Sequence, residues 1–155
     1  MRRFAVAVII AATALGVVAQ PAAAKDYKLG QSAKTGDFTV TVYAIQDPFV
    51  SSNPLAKPKA GNRLVTVDVQ VTNKTKKQIR FSSLTGFHLL DSQHHQYDED
   101  ITIKFTLQPS SPDGKIPPKE SVRGFVGFEI PSAATGLRLR VQGGFTASGA
   151  YLKLS

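Results

Sequence analysis

A ladder of alternating valines constrains the fold of this chain more than any other feature. From residue 65 to residue 71, valine occupies every second position, and threonine, aspartate and glutamine fill the positions between. Successive side chains of a β-strand point to opposite faces, so this pattern puts the valines on one face and the polar groups on the other. In a helix the same valines would be scattered around the axis. Residues 63–72 are therefore predicted to form a strand with one buried face.

Similar short patterns recur along the chain and are separated by turn-forming residues. No helical period occurs after residue 24. Strands at this spacing are typical of a sandwich or a barrel, in which a second layer covers each apolar face. The further strands predicted are 38–45, 78–81, 87–91, 101–107, 122–130, 137–141 and 151–154, which gives seven or eight in all.

Two long connections interrupt this pattern, at residues 46–62 and 108–120. Loops of this length are often functional, and proline stiffens them for contact with a partner. The alternative is that they only cross from one sheet to the other. The prolines concerned are Pro48, Pro54, Pro58, Pro109, Pro112, Pro117 and Pro118.

The amino terminus has the pattern of a cleavable signal peptide. Two arginines precede fifteen uncharged residues, 4–18, and small residues allow cleavage after Ala24 or after Ala19. The alternative is a retained anchor, but fifteen apolar residues fall short of the roughly 20 that span a bilayer. We predict three segments: a signal peptide (1–24), a polar and loosely held segment (25–36) and one domain (37–155). The mature chain is expected to be secreted or periplasmic, without a membrane span.

The chain contains no cysteine, so neither disulfides nor lipid attachment to a cysteine is expected. The formal net charge is +8, and subtracting Arg2 and Arg3 leaves +6 for residues 25–155. Such a charge favours anionic partners, although it also simply keeps a protein soluble. The densest basic group is Lys74, Lys76, Lys77 and Arg80. No aromatic residue lies near enough in the sequence to stack a base, so no nucleic-acid partner is predicted.

Catalytic motifs are absent from the sequence. It has no Gly-x-Ser-x-Gly motif, phosphate loop or dinucleotide fingerprint, so we predict a non-enzyme without a cofactor. The best polar cluster spans residues 91–100, where His94, His95 and Asp98 suggest a metal site. Adjacent side chains in an extended segment point to opposite sides, which argues against a shared ion, and a solvated hairpin turn is the alternative. His88 is expected on the face of its strand opposite Phe87 and Leu89.

Three motifs, taken in order, resemble a known family. Residues 64–75 (LVTVDVQVTNKT), 87–97 (FHLLD, then Tyr97) and 116–131 (IPPKES, then GFEIP) are similar to an immunoglobulin-like bacterial extracellular domain of unknown function. That group is related to a secreted mycobacterial immunoprotective antigen family. Lys119 stands where the family often has glycine. The resemblance implies an all-β, immunoglobulin-like antiparallel β-sandwich of seven to eight strands in an extracytoplasmic location, and it transfers no catalytic residues.

The sequence thus predicts a secreted or periplasmic, non-enzymatic binding module. Its contacts would lie on the proline-containing loops or on an exposed sheet face. The expected partner is an unidentified protein, glycan or anionic envelope component. The alternative is a metal-binding protein, or a metal-dependent hydrolase, that uses His94, His95 and Asp98.

Overall fold

The computed structural model describes residues 26–143 and 149–154, and the predicted signal peptide lies outside them. Their two helices are α1 (Ser83–Gly86) and α2 (Ile101–Lys104). Neither of these helices of the described residues is long and apolar enough to cross a membrane. The strands are β1 (Asp26–Tyr27), β2 (Ser32–Thr35), β3 (Phe38–Phe49), β4 (Asn62–Asn73), β5 (Ile79–Phe81), β6 (Phe87–Leu90), β7 (Gln96–Asp98), β8 (Gly114–Ile116), β9 (Ser121–Pro131), β10 (Arg138–Val141) and β11 (Ala150–Lys153).

Two sheets pack face to face, which confirms the predicted β-sandwich. One sheet has the order β1-β11-β10-β6-β7, the other has the order β2-β3-β4-β9, and β5 and β8 form a separate ribbon. The pairings are antiparallel apart from β1 with β11. The connection from β7 through α2 and β8 to β9 carries the chain from the first sheet to the second.

The valine ladder lies at the centre of the core. All four valines of β4 are fully buried, and β4 is paired on both sides, with β3 and with β9. Their neighbours come from both sheets and form one continuous apolar cluster, so period-two burial holds the layers together. The main contributors besides the valines are Val40, Val42, Phe87, Leu89, Val126, Phe128, Leu139 and Leu152.

The strand predicted for residues 101–107 is wrong. Residues 101–104 form α2, and the side chain of the preceding residue, Asp100, caps it by accepting a hydrogen bond from the Ile103 amide. The apolar pattern of isoleucines at 101 and 103 is compatible with one strand face, but this segment pairs with no strand in the described residues. Instead Ile103 is buried against the sheet while Ile101 and Phe105 are exposed.

The N-terminal segment, residues 25–36, was expected to be loosely held, but it contributes strands to both sheets. β2 pairs with β3 over four residues and buries Ala33 completely, and β1 pairs with β11. With the short β7 and β8, these strands bring the described total to eleven, against the seven or eight predicted. Seven of the eight predicted strand segments are present.

The loop bounds also differ from prediction. Residues 46–49 extend β3, so the first loop is residues 50–61, and β8 lies within the second predicted loop. Lys119 has a φ of 66°, the left-handed conformation that favours glycine. The turn before β9 therefore keeps a glycine-like geometry with a lysine in it.

Asn73 ends the valine strand as a buried structural residue. Its side-chain amide donates to the carbonyls of Lys77 (2.7 Å), Ile116 (3.0 Å) and Pro117 (3.0 Å), and its oxygen accepts from the Thr75 amide (2.8 Å). Asn73 is 0% exposed. It therefore ties the turn after β4 to β8.

Candidate functional site

The helix α2 lies on the outer face of the four-stranded sheet, near the start of β4. Ile103 and Leu107 pack there against Leu64, with Phe49 and Phe125 beside them. This satellite cluster covers part of a sheet face that the alternating pattern predicts to be wet. As a result Thr66, a polar position of the valine ladder, is 1% exposed.

Gly127 of β9 makes this docking possible. A Cβ atom at Gly127 would lie 2.5 Å from Cγ2 of Ile103 and 3.3 Å from Cδ1 of Leu107. Both distances are shorter than ordinary carbon–carbon contact. The Gly127 carbonyl also accepts a hydrogen bond from the Asp100 amide at 2.9 Å. A glycine inside a strand often marks close approach of another segment, and here that segment is α2.

The loop of residues 50–61 lies beside α2 and is internally braced. The side-chain oxygen of Asn53 accepts a hydrogen bond from the Leu55 amide (2.9 Å), and the backbone carbonyl of Asn53 accepts one from the Ala56 amide (3.1 Å). Glu129 accepts from the Lys59 amide at 2.9 Å, which ties the loop to β9. A cleft of about 250 Å³ between Leu55 and Ile103 shows that the loop and the helix are neighbours.

Large apolar side chains are exposed on this loop and on or next to α2. Val50 is 85% exposed, Leu55 78%, Ile101 57% and Phe105 78%. Ile101 and Phe105 are four residues apart and so lie on one side of the helical turn. We call these four residues, with Lys57 and Lys59, the loop–helix surface. They include four of the seven large hydrophobic residues that are exposed in the part of the chain described.

The base of the loop is held by an arginine. Arg63 donates from Nε to Asp47 Oδ1 at 2.5 Å and from Nη2 to Oδ2 at 3.0 Å, and it also donates to the carbonyls of Pro131, Ser132 and Ala134. The side-chain hydrogen bond to Asp47 is the main reason that the pKa of Arg63 is raised. This bidentate pair fixes the last residues of β3 against β4 and so sets where the loop begins.

A buried ionic cluster supports α2 from the other side. Lys104 donates to Ser83 Oγ at 2.5 Å, contacts Glu99 at 3.4 Å and forms a hydrogen-bonded ion pair with Asp113. Ser111 donates to Glu99 at 2.7 Å. The Glu99 side chain is fully buried and that of Lys104 is 12% exposed. Lys104 therefore ties α2 to the segments that contain Ser83, Glu99 and Asp113.

The polar segment 91–100 is organised around Asp91, which the sequence did not single out. The Asp91 carboxylate accepts hydrogen bonds from the amides of Gln93 (2.8 Å) and His95 (2.9 Å), from His95 Nδ1 (2.9 Å) and from the Tyr97 hydroxyl (2.9 Å). Burial raises the pKa of Asp91, but these hydrogen bonds outweigh it and lower the pKa to about 2. Asp91 thus holds the turn between β6 and β7, in which His94 has a φ of 66°.

The three residues predicted as metal ligands are not brought together. The His95 imidazole donates to Asp91, whereas Asp98 accepts from His88 Nδ1 at 2.8 Å. The hydrogen bond from His88 is the main cause of the lowered pKa of Asp98. In residues 26–143 and 149–154, no three His, Asp or Glu side chains are close enough to share a metal ion. The arrangement therefore fits the hairpin turn that was the alternative interpretation.

His88 lies on the outer face of β6, opposite Phe87 and Leu89, which are fully buried. The imidazole is 14% exposed. It is paired across the strands with Asp98, so its role in the structure is to join β6 to β7.

A comparison with known protein families assigns most of the chain to one family. A family model described as a domain of unknown function (DUF4352) matches residues 27–151, which include β2 through β10 and both helices. The chain belongs to this family. The match covers both sheets and the loop–helix surface, and the family's description assigns no activity to either.

Two kinds of relative accompany this assignment. The uncharacterized protein YxkC of Bacillus subtilis is 28% identical over 118 residues, which are 71% of this chain and 66% of that protein, slightly less than two thirds of its length. A conserved hypothetical protein from Bacillus anthracis has a similar structure, with a TM-score of 0.62, 19% identity, and coverage of 82% of this chain and 95% of that one. MPT63, a secreted protein from Mycobacterium tuberculosis, has a TM-score of 0.57 and 12% identity over 86% of this chain and 99% of its own. These structural similarities show the shared fold, and they confirm the resemblance drawn from the three sequence motifs.

Sequence reasoning identified the proline-containing loop but missed the helical half of the surface. The signals that were available are Asp100, a residue that favours the start of a helix, and Gly127, a glycine inside a strong strand. Neither signal indicates by itself that the two positions meet. Asp91 also carried a signal, because aspartate before a polar turn often accepts hydrogen bonds from the backbone amides that follow it.

Proposed function

We propose that this chain is a non-enzymatic binding module that works outside the cytoplasm and makes its contact through the loop–helix surface. One observation carries the proposal: Val50, Leu55 and Phe105 are each at least 78% exposed, although α2 packs on the sheet and the loop is hydrogen-bonded to β9. Several large exposed apolar side chains on two neighbouring segments are typical of an interaction site. A braced loop also loses little conformational freedom when a partner binds.

The extracytoplasmic location is supported by two further observations. The first 24 residues have the pattern of a signal peptide, and the structurally similar MPT63 is a secreted protein. Intact-mass measurement of the protein recovered outside the cytoplasm tests this part of the proposal. We expect a chain beginning at Lys25, or at Gln20 if cleavage follows Ala19. Recovery of the full 155-residue chain in the cytoplasm would contradict the proposed location.

The contact surface is tested by capture from solubilised cell-envelope material. The immobilised protein is compared with Leu55→Ser/Phe105→Ser, and every retained component, whether protein, glycan or lipid, is identified by mass spectrometry. A fully buried large apolar side chain contributes about 1.5–3 kcal/mol, and about 1.4 kcal/mol is a tenfold change in affinity. We therefore expect the double variant to lose at least about tenfold in affinity for the captured component.

A matched control separates the surface from general hydrophobic adhesion. Leu29 is 42% exposed and Leu84 is 39% exposed, and both lie outside the loop–helix surface. Leu29→Ser/Leu84→Ser should retain the captured component. If the two double variants lose it equally, or if neither loses it, the loop–helix surface is not the contact site.

A further inference from the structure

The charge around the loop–helix surface points to one class of partner. Residues 50–61 and 101–110 contain no acidic residue, whereas Lys57 and Lys59 are both exposed within the first segment. The third lysine of these segments, Lys104, is largely buried and forms ion pairs with Glu99 and Asp113. The exposed charge beside the apolar side chains is therefore positive.

The acidic groups at the border of the surface are already engaged. Asp100 accepts from the Ile103 amide at 2.9 Å. Glu129 accepts from the Lys59 amide and from Asn62 Nδ2, at 2.9 and 2.7 Å. Burial raises the pKa of Glu129, but these two hydrogen bonds and the Lys59 charge outweigh it and lower the pKa. Lys59 is thus partly balanced by Glu129, whereas Lys57 has no ion-pair partner in the described part of the chain.

Val50 and Phe105 project outward, whereas Leu55 borders the cleft between the loop and α2. Val50 at 85% exposure and Phe105 at 78% present nearly their whole side chains to solvent. Interfacial segments that bind a bilayer combine Leu or Phe side chains, which enter the headgroup boundary, with lysines that contact anionic lipids. A lysine near an anionic lipid surface adds about a fivefold gain in affinity, so Lys57 and Lys59 together would add roughly 30-fold.

We propose that the partner of the loop–helix surface is an anionic phospholipid membrane, and this inference rests on the proposed function. Val50, Leu55, Ile101 and Phe105 enter the boundary between headgroups and acyl chains, while Lys57 and Lys59 contact lipid phosphates. The net charge of +6 for residues 25–155 attracts the whole domain to the same surface.

Vesicle co-sedimentation of the exported protein tests the inference. Vesicles of phosphatidylcholine alone are compared with vesicles that also contain phosphatidylglycerol, at low and at high salt. We expect binding to the anionic vesicles that weakens with salt, because screening acts on exposed charges. Lys57→Gln/Lys59→Gln should lower the affinity roughly 30-fold, and Leu55→Ser/Phe105→Ser should lower it at least about tenfold.

The controls keep the same change in charge or apolarity but place it elsewhere. Lys28→Gln/Lys34→Gln lies in and before β2, at the sheet edge opposite β9, and Leu29→Ser/Leu84→Ser removes exposed leucines outside the surface. Both should bind anionic vesicles within about threefold of the unmodified protein. All four variants alter exposed residues, and an unchanged thermal unfolding midpoint verifies that each is folded.

The outcomes separate this inference from the function on which it rests. Absence of binding to anionic vesicles, equal binding to phosphatidylcholine, or equal losses in the control and surface variants would each overturn the lipid inference. If the protein does not bind anionic vesicles while Leu55→Ser/Phe105→Ser still abolishes capture of an envelope protein, the surface binds protein and the proposed function stands. If both experiments fail, neither proposal survives.

Discussion

Replacing Gly127 with alanine tests how α2 is held on the sheet. The new Cβ would lie 2.5 Å from Ile103 Cγ2, 3.1 Å from Ile103 Cβ and 3.3 Å from Leu107 Cδ1. Gly127 does not have a positive φ, so alanine is compatible with its backbone. In the folded chain the substitution therefore perturbs only packing, at the contact between α2 and β9.

Two effects of opposite sign set the magnitude. Overpacking a filled apolar contact costs about 1–3 kcal/mol. Alanine in place of glycine inside a strand returns about 0.5–1 kcal/mol of conformational entropy. The clash is the larger effect, because the added methyl would meet both Cγ2 (2.5 Å) and the backbone-attached Cβ (3.1 Å) of Ile103. We expect Gly127→Ala to lower the free energy of unfolding by about 0.5–2 kcal/mol.

A double-mutant cycle with Ile103→Ala identifies the contact. The single Ile103→Ala change should cost about 2–5 kcal/mol, because it empties a buried site. In the double variant the clash with Cγ2 is gone and the added methyl fills part of the vacated space. The loss of stability in the double variant should therefore differ from the sum of the two single losses by a coupling energy of about 0.5–3 kcal/mol.

Urea unfolding of the four proteins, with the m-value checked in each, measures this cycle. Additivity within about 0.5 kcal/mol would refute the reasoning, since it would mean that positions 103 and 127 do not touch. A Gly127→Ala protein as stable as the original would do the same. Vesicle binding by Gly127→Ala gives a second readout, because displaced α2 would carry Ile101 and Phe105 with it.

Three further predictions concern charge and backbone. The pKa of Asp91 is about 2 in the folded chain against an ordinary 3.8. A lowered folded-state pKa adds stability above the unfolded value and loses it as pH falls through the folded one, so stability should fall between about pH 4 and pH 2. Asp91→Asn should flatten that loss in urea titrations at stepped pH, and an unchanged slope would contradict this. Lys119→Gly should raise the free energy of unfolding by about 0.5–1 kcal/mol. Left-handed backbone costs residues other than glycine about 1–2 kcal/mol, and the greater chain entropy of unfolded glycine cancels part of that gain. The control Lys119→Ala should show no gain in a thermal unfolding measurement. Lys104→Met should cost about 3–5 kcal/mol, because Glu99 stays buried without its cation, and a cost below about 1 kcal/mol in urea unfolding would show that the pair is dispensable.

The candidate site was only half predictable from the sequence. The length and the prolines of residues 46–62 predicted a contact loop, and within its observed bounds, residues 50–61, Leu55 and Lys57 are exposed. Residues 101–107 were predicted as a strand because alternate apolar positions suit a pleated sheet. Four residues of helix leave too short a pattern to distinguish one turn from a strand, so the choice depended on what Ile103 packs against.

The metal-site hypothesis shows the same limit. His94, His95 and Asp98 are close in sequence. In the structure, however, the pairing of β6 with β7 places Asp98 in a hydrogen bond with His88, and the turn places His95 in a hydrogen bond with Asp91. The register between two paired strands decides which side chains are partners, and the spacing of residues along the sequence does not indicate that register.

The local sequence determined that this chain forms sheets and which side of each main strand is buried. Alternation is a property of adjacent residues, and burial of the valine face against a second layer follows directly from it. Tertiary structure decided where α2 lies, which apolar side chains remain exposed and which carboxylates are engaged. Those outcomes depend on pairs distant in sequence, such as Gly127 with Ile103 and Glu129 with Lys59, which come together only when the strands have taken their register.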